Sequence, residues 1–199
     1  MDKVLDKLNW RYATKKFDSS KKVSTENLET LLEAGRLTAS SYGLQPYEIF
    51  VIEDTDTRTK LRAASYDQSQ ITDASYVIVL ANKPTFDGTM IDDYIANIMA
   101  IRGLSKDDLE GFSQTMKSTL LGLSDAHKNA WTSNQAYIVL GNLMTIAAEM
   151  GIDTCPMEGF DKAQYNEILG LTDKDLNAAV VLAVGYRSAE DDTQNYPKV

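Results

Sequence analysis

Residues 131–150 read WTSNQAYIVLGNLMTIAAEM, with Gly151 immediately after. Apolar side chains fall nearly all the way round a helical wheel, and the glycine closes the run. That is the pattern of a helix buried at the centre of a domain. Twenty residues with Asn, Gln and Glu interspersed make a core or dimer helix and not a membrane span. A helix of this kind needs other elements packed against it, so the flanking segments decide the architecture.

Three segments have strand length and β-branched or aromatic content: YEIFVIE at 47–53, YVIVLAN at 76–82 and NAAVVLAVGY at 177–186. DTDTRTKLRAAS, between the first two, reads as a helix with acidic residues in its first turn and basic ones further on. Residues 2–10 place Val4, Leu5 and Leu8 at helical spacing after Asp2. Ser24 can cap a helix carrying Leu28, Leu31 and Leu32, which ends before the polar run TASSYG. Ile91, Tyr94, Ile95, Ile98 and Met99 form another helix up to Gly103. Ser105 with Asp108 opens the next, carrying Leu109, Phe112, Met116 and Leu120. Asp161 caps a last helix that stops near Gly170. Helices outnumber strands and do not alternate with them, which favours an α+β sandwich over a doubly wound sheet. With 199 residues, 43% hydrophobic content and no repeat or linker, residues 1–199 are expected to form a single domain.

Composition narrows the chemistry. Twenty Lys and Arg against 29 Asp and Glu give a net charge of −9, so nucleic acid is not an expected partner. The charged start MDKVLDKLNW lacks the pattern of a secretory signal, and no 18-residue apolar span occurs. A cytoplasmic protein with no membrane partner is expected. Cys155 is the single cysteine and His127 the single histidine. Neither a multi-cysteine metal site nor HExxH can be assembled, and no metal is expected. A serine or cysteine nucleophile also lacks its histidine, because His127 sits in the polar helix start SDAHKN. Hydrolytic chemistry is hard to staff from this inventory, which shifts the difficult step onto a cofactor. There is no GxGxxG after a strand and no GxxxxGK[ST], so a nucleotide phosphate would have to be held by side chains.

Four stretches could supply such a site. RYATKKFD at 11–18 sets Arg11 and Lys15 four apart on a polar connection; Arg offers a fork suited to phosphate oxygens and Lys a point charge. LTASSYGLQPY at 37–47 is rich in hydroxyl and amide donors. CPMEGF at 155–160 has Pro156 and Gly159, an irregular backbone able to aim successive N–H groups at a ligand. Lys198, near the end of the chain, could join Arg11. Taken singly, each has an ordinary structural alternative: a solvated surface, a capping turn, a packed cysteine or an exposed terminal lysine.

Taken in order, RYATKKFD, TASSYGLQPYEIFVIED, QSQITDASYVIVLA, WTSNQAYIVLGNL, GIDTCPMEGFD and VVLAVGYRSAEDD resemble the FMN-dependent nitroreductase family from Asp2 to Lys198. The resemblance implies a three-layer sandwich with a mainly antiparallel central sheet flanked by helices, in an entwined homodimer with FMN at the subunit interface. It implies that Arg11, with Tyr12 and Ala13, meets the FMN phosphate and that Lys15 meets the pyrimidine edge. Pro156, Met157, Glu158 and Gly159 would lie against the ring, with the N–H of Glu158 or Gly159 directed at N5. Ala39, Ser40, Ser41 and Gly43 would come from the partner subunit. Gln68 and Gln70 would reach the ribityl chain and pyrimidine.

The activity implied is ping-pong transfer of hydride from NADH or NADPH through flavin N5 to a small-molecule acceptor such as a nitroaromatic, a quinone or a flavin. A narrow pteridine or enone reductase, and a flavin-binding protein with little turnover, are the alternatives. Lys15 and the Glu158 backbone tune the ring in this scheme, and no protein acid or base is needed. Phe112 and Met116 are candidates for an acceptor-facing lid, with core packing as the alternative. The chain departs from the family pattern at Ala13, where serine is common, and at Gln70, where some members carry a second lysine. The arginine that usually follows two residues after the lysine matched by Lys198 would fall past Val199, so either Arg187 or solvent compensates, or the natural C-terminus is longer.

Overall fold

In the computed structural model, residues 3–198 are described. Asp2, expected at the start of the first helix, and Val199 lie outside the described residues. The first helix is α1 (Lys3–Trp10), and α2 (Thr25–Arg36) follows with Ser24 accepting from Asn27 N as its N-cap. Next come β1 (Tyr47–Ile52), α3 (Thr55–Ala63), the single-turn α4 (Gln70–Asp73) and β2 (Tyr76–Asn82). Helices α5 (Gly88–Arg102) and α6 (Lys106–Leu120) form a hairpin, the second opened by the Ser105–Asp108 capping box.

The long central helix is α7 (Asp125–Glu149), capped by Ser124, so it starts six residues before Trp131. The polar SDAHKN run supplies that extra length. Its far end is a Schellman arrangement: Gly151 takes φ +71°, with Gly151 N bonded to Ala148 O and Ile152 N to Ala147 O. After it come β3 (Asp153–Met157), α8 (Lys162–Leu169) and β4 (Asn177–Gly185).

The sheet has the order β1-β2-β4-β3, and every neighbouring pair is antiparallel. Alternation along the strands splits the core into two layers. Val77, Val79, Cys155, Met157, Val181 and Ala183 face α3, α4 and α8 through Leu61, Ile71 and Tyr165. Ile78, Leu80, Val180, Leu182 and Val184 face α2 and α7 through Leu28, Leu31, Val139 and Leu143. The expected three-layer α+β sandwich is therefore present. A register shift between Leu80 and Ala81 leaves Ala179 as an extra residue in β4, so Ala179 and Val180 point to the same layer. The α5–α6 hairpin packs on its own satellite core of Ile91, Ile95, Ile98, Leu109, Met116 and Leu120.

Strand β3 is a correction. Pro156 and Met157 belong to it and not to an irregular loop, which shortens the turn to residues 158–160. A proline in the run argues against a strand, yet here β3 is an edge, where a missing N–H is tolerated.

Candidate functional site

The stretch RYATKKFD threads between β3 and the segment that follows β4. Ala13 bridges Thr154, with Thr14 N donating to Thr154 O at 3.1 Å. Phe17 bridges Arg187, Asp18 N donates to Tyr186 O, and Ser188 N donates to Lys16 O. Phe17 is buried beneath the end of β4. The path of the backbone between these ties is fixed by one carboxylate, Asp191, which is 1% exposed. Its Oδ2 accepts from Lys15 N at 2.8 Å, Lys16 N at 3.1 Å and the Tyr12 phenol at 3.0 Å. Its Oδ1 accepts from Thr193 N. Burial pushes the Asp191 carboxyl up, but the Lys16 and Lys15 amides with Thr193 and Tyr12 outweigh it and hold its pKa below the ordinary value. Tyr12 is raised, first by burial and then by its bond to Asp191.

Two cations converge at the end of α1. Arg11 Nε is buried and has no hydrogen-bond partner among the described residues. Lys198 comes close enough to Arg11 that burial and the Arg11 charge together depress its pKa. Lys198 Nζ also donates to Leu8 O. A cleft of about 390 Å³ lined by Trp10, Tyr12, Thr193, Tyr196 and Lys198 opens beside the pair. Arg187, the candidate substitute for the missing arginine, is engaged elsewhere. Its Nε donates to the buried Asp153 at 2.7 Å, and its guanidinium lies 4.2 Å from the Trp10 ring centroid and 4.5 Å from that of Tyr12. A guanidinium paired and stacked in this way is committed to the fold.

Exposed Lys15 is the next cation along. Its charge reaches Cys155 on β3, as does the side chain of the buried Gln70. Burial raises the Cys155 thiol pKa and these two groups oppose the rise. Lys15, Gln70 and the end of β3 are thus brought together. The turn after β3 adds Glu158 and Gly159. Tyr137 of α7 donates its phenol to Glu158 Oε1, and burial followed by this bond pushes Tyr137 up to about 12. Gln68 Nε2 donates to Gly159 O at 2.8 Å and to Ser65 O at 3.1 Å. Both amide hydrogens of Gln68 are therefore spent on backbone carbonyls. Toward a ligand, its Oε1 is left to accept.

The Ala39–Gly43 loop is elsewhere. Ser41 N donates to Gln135 Oε1 of α7 at 2.8 Å, and Ser40 Oγ accepts from Gln45 N. Gln135 and Tyr137 are two residues apart, about 200° round a helix of 3.6 residues per turn. The 39–43 loop and the 158–159 turn accordingly lie on opposite sides of α7 within one chain.

Of the two lid candidates, Phe112 is 38% exposed and tilts on Tyr42, their ring centroids 6.3 Å apart. Met116 is 0% exposed inside the α5–α6 core and offers no surface to a ligand. Helical spacing places the two on one side of α6, but the i+4 residue turns further beneath α5.

Sequence reasoning missed Asp191, Asp153, Gln135 and Tyr137. Asp191 sits in AEDDT, which reads as surface charge. The one usable signal was Asp191 two residues before Thr193, the spacing of an Asx turn. His127 lies at the first turn of α7, bonded to its capping Ser124, outside this site.

The fold and the arrangement of these motifs are those of the nitroreductase family: its family model matches residues 8–186, and the chain belongs to that family. Among curated proteins, the major NAD(P)H-flavin oxidoreductase of Aliivibrio fischeri is 34% identical over 203 aligned residues, covering 98% of this chain and 93% of the relative. Among solved structures, YdfN of Bacillus subtilis superposes with a TM-score of 0.87 at 22% identity, over 99% of this chain and 92% of that one. A protein of Exiguobacterium sibiricum solved in complex with FMN superposes at 0.82 with 22% identity, over 100% and 93%. No helix among the described residues is long and apolar enough to cross a membrane.

Proposed function

We propose that this chain is an FMN-dependent NAD(P)H oxidoreductase, one domain spanning residues 1–199, cytoplasmic, and active as a homodimer on small acceptors such as nitroaromatics, quinones or flavins. The observation that carries the reading is the convergence of Arg11 on Lys198, which lines the cleft beside it, with Arg11 Nε buried and unpartnered among the described residues. Among the described residues no carboxylate is paired with these two cations; together they suit an anion of more than one charge, and a phosphate monoester fits. Lys15, Gln70 and the Glu158–Gly159 turn lie beyond it, where a ring attached to that phosphate would extend.

FMN, when bound, supplies hydride chemistry at N5. Arg11 and Lys198 hold its phosphate, with Tyr12 and Ala13 shaping the backbone beside them. Lys15 places a fixed cation where negative charge grows on the pyrimidine edge, a role that suits a preorganised ammonium. Pro156 and Met157 end the strand against which the ring would pack, and the N–H of Glu158 or Gly159 would be directed at N5. Phe112 borders the acceptor space. Donor and acceptor occupy the same open face in turn, which gives ping-pong kinetics, and proximity and orientation contribute about 7 kcal/mol or more.

The placement of the 39–43 loop supports the dimer. Ala39, Ser40, Ser41 and Gly43 lie across α7 from their own chain's turn, and a two-fold partner would bring its copy of the loop to that turn. Leu5 at 55%, Leu37 at 66% and Ile138 at 48% exposure supply apolar surface for that contact. Titration with FMN under analytical ultracentrifugation tests both parts. A dimer taking up one FMN per chain is expected. Tight uptake by a monomer overturns the shared site, and no uptake overturns the cofactor.

A further inference from the structure

We propose that Gln68 is a positioning residue: it holds the Glu158–Gly159 turn from behind, and through that turn sets how strongly bound FMN resists reduction. The inference rests on the flavin reading above.

The chain goes to some length to bring Gln68 to this place. Tyr66 at φ 53° and Asp67 at φ 58° are consecutive non-glycine residues in the left-handed region, which side chains disfavour. Asp67 is braced there by Arg62, whose carbonyl accepts from Asp67 N and whose Nε meets Asp67 Oδ1 at 2.7 Å. The strained pair reverses the chain after α3, so that the Gln68 amide lands on Gly159 O at 2.8 Å and Ser65 O at 3.1 Å. Gly159 matches this approach, because a Cβ there would stand only 3.3 Å from Gln68 Nε2. Three further ties fix the turn: Asp161 N to Ala64 O, Phe160 N to Glu158 O, and the Tyr137 phenol on the Glu158 carboxylate. Gln68 is the tie that acts on Gly159 itself, and it crosses from the end of α3.

Flavin N5 accepts a hydrogen bond when oxidised and carries a hydrogen when reduced. A backbone N–H fixed in front of it therefore favours the oxidised form. Loosening the turn weakens that preference and raises the midpoint potential.

The test is a potentiometric titration of FMN-loaded wild type, Gln68→Met and Ser105→Ala. Gln68→Met keeps the length and removes the donors. It is expected to shift the reduced-to-oxidised ratio at least tenfold toward reduced, about 30 mV for a two-electron couple. Ser105→Ala lowers the melting temperature by removing the α6 cap and leaves the potential where it was, which separates turn geometry from general stability. A Gln68→Met protein that binds FMN and shifts the reduced-to-oxidised ratio by less than tenfold, or toward oxidised, overturns the proposal. Should Gln68→Met fail to fold, Gly159→Ala presses on the same contact from the other side and is read in the same way. If wild type takes up no FMN, the flavin reading has failed, and that outcome is distinct from an unshifted midpoint.

Discussion

Asp191 Oδ2 lies 2.8 Å from the backbone nitrogen of Lys15, so a residue of the C-terminal segment fixes a cation near the start of the chain. Its folded pKa is depressed below the unfolded carboxylate value of about 3.9. The stability it contributes is therefore complete above that value and is lost as pH falls through the lower folded one. Asp191→Asn is expected to cost on the order of 2–3 kcal/mol at pH 7, since hydrogen bonds to a charged group are being removed. Urea melts from pH 7 down to pH 3 should show the gap from wild type closing below pH 4. A gap that is constant with pH rules out the charged carboxylate as its origin.

Arg187 leaves Asp153 as a buried, unpaired carboxylate when it is removed. Arg187→Met should destabilise by about 3–5 kcal/mol, the range for breaking one partner of a buried ion pair. Arg187→Lys should recover part of that and no more, because lysine cannot reproduce the stack between Trp10 and Tyr12. Chemical denaturation of both variants decides it. Equal stability of the lysine variant and wild type would show that the stacking contributes nothing.

Arg11→Gln should weaken FMN binding by about 10- to 100-fold, some 1.4–2.8 kcal/mol. Riboflavin, which lacks the phosphate, should bind wild type and variant alike. Fluorescence titrations with the two ligands make the comparison. An equal loss for riboflavin would move Arg11 away from the phosphate.

Phe112 and Met116 should separate cleanly. Met116→Ala opens a hole in the α5–α6 core and should cost about 2–5 kcal/mol. Phe112→Ala should change stability little while changing the acceptor KM and leaving the NAD(P)H half-reaction as it is. Melting curves with steady-state kinetics on two acceptors of different size test the pair.

Most of the architecture could be read from periodicity. The caps at Ser24, Ser105 and Asp161 and the apolar run of α7 carry their own local signals; the structure realises the three caps and buries α7 along Ala136, Val139, Leu140 and Leu143, with Ile138 left exposed. Strand β3 was illegible because DTCPM has a proline and too few residues to display alternation; what makes it a strand is β4 beside it. The site divides in the same way. Arg11, Lys15 and Lys198 were visible as cations in suggestive places. Asp191, Asp153 and Tyr137 were not, because each acts on a residue at least 21 positions away in sequence, and nothing local marks a carboxylate or phenol for a distant partner. Gln68 was legible as an amide in the right segment, but the direction of its hydrogen bonds is a property of the folded turn.

Electron transfer from NAD(P)H through FMN held by Arg11, Lys15 and Lys198 is the activity proposed for this chain. Anaerobic stopped-flow mixing of the FMN-loaded protein with NADH, and separately with NADPH, tests it most directly. Rapid loss of the flavin absorption band with at least one donor, and its return on adding a quinone or nitroaromatic, is expected. A band unchanged by both donors would contradict it.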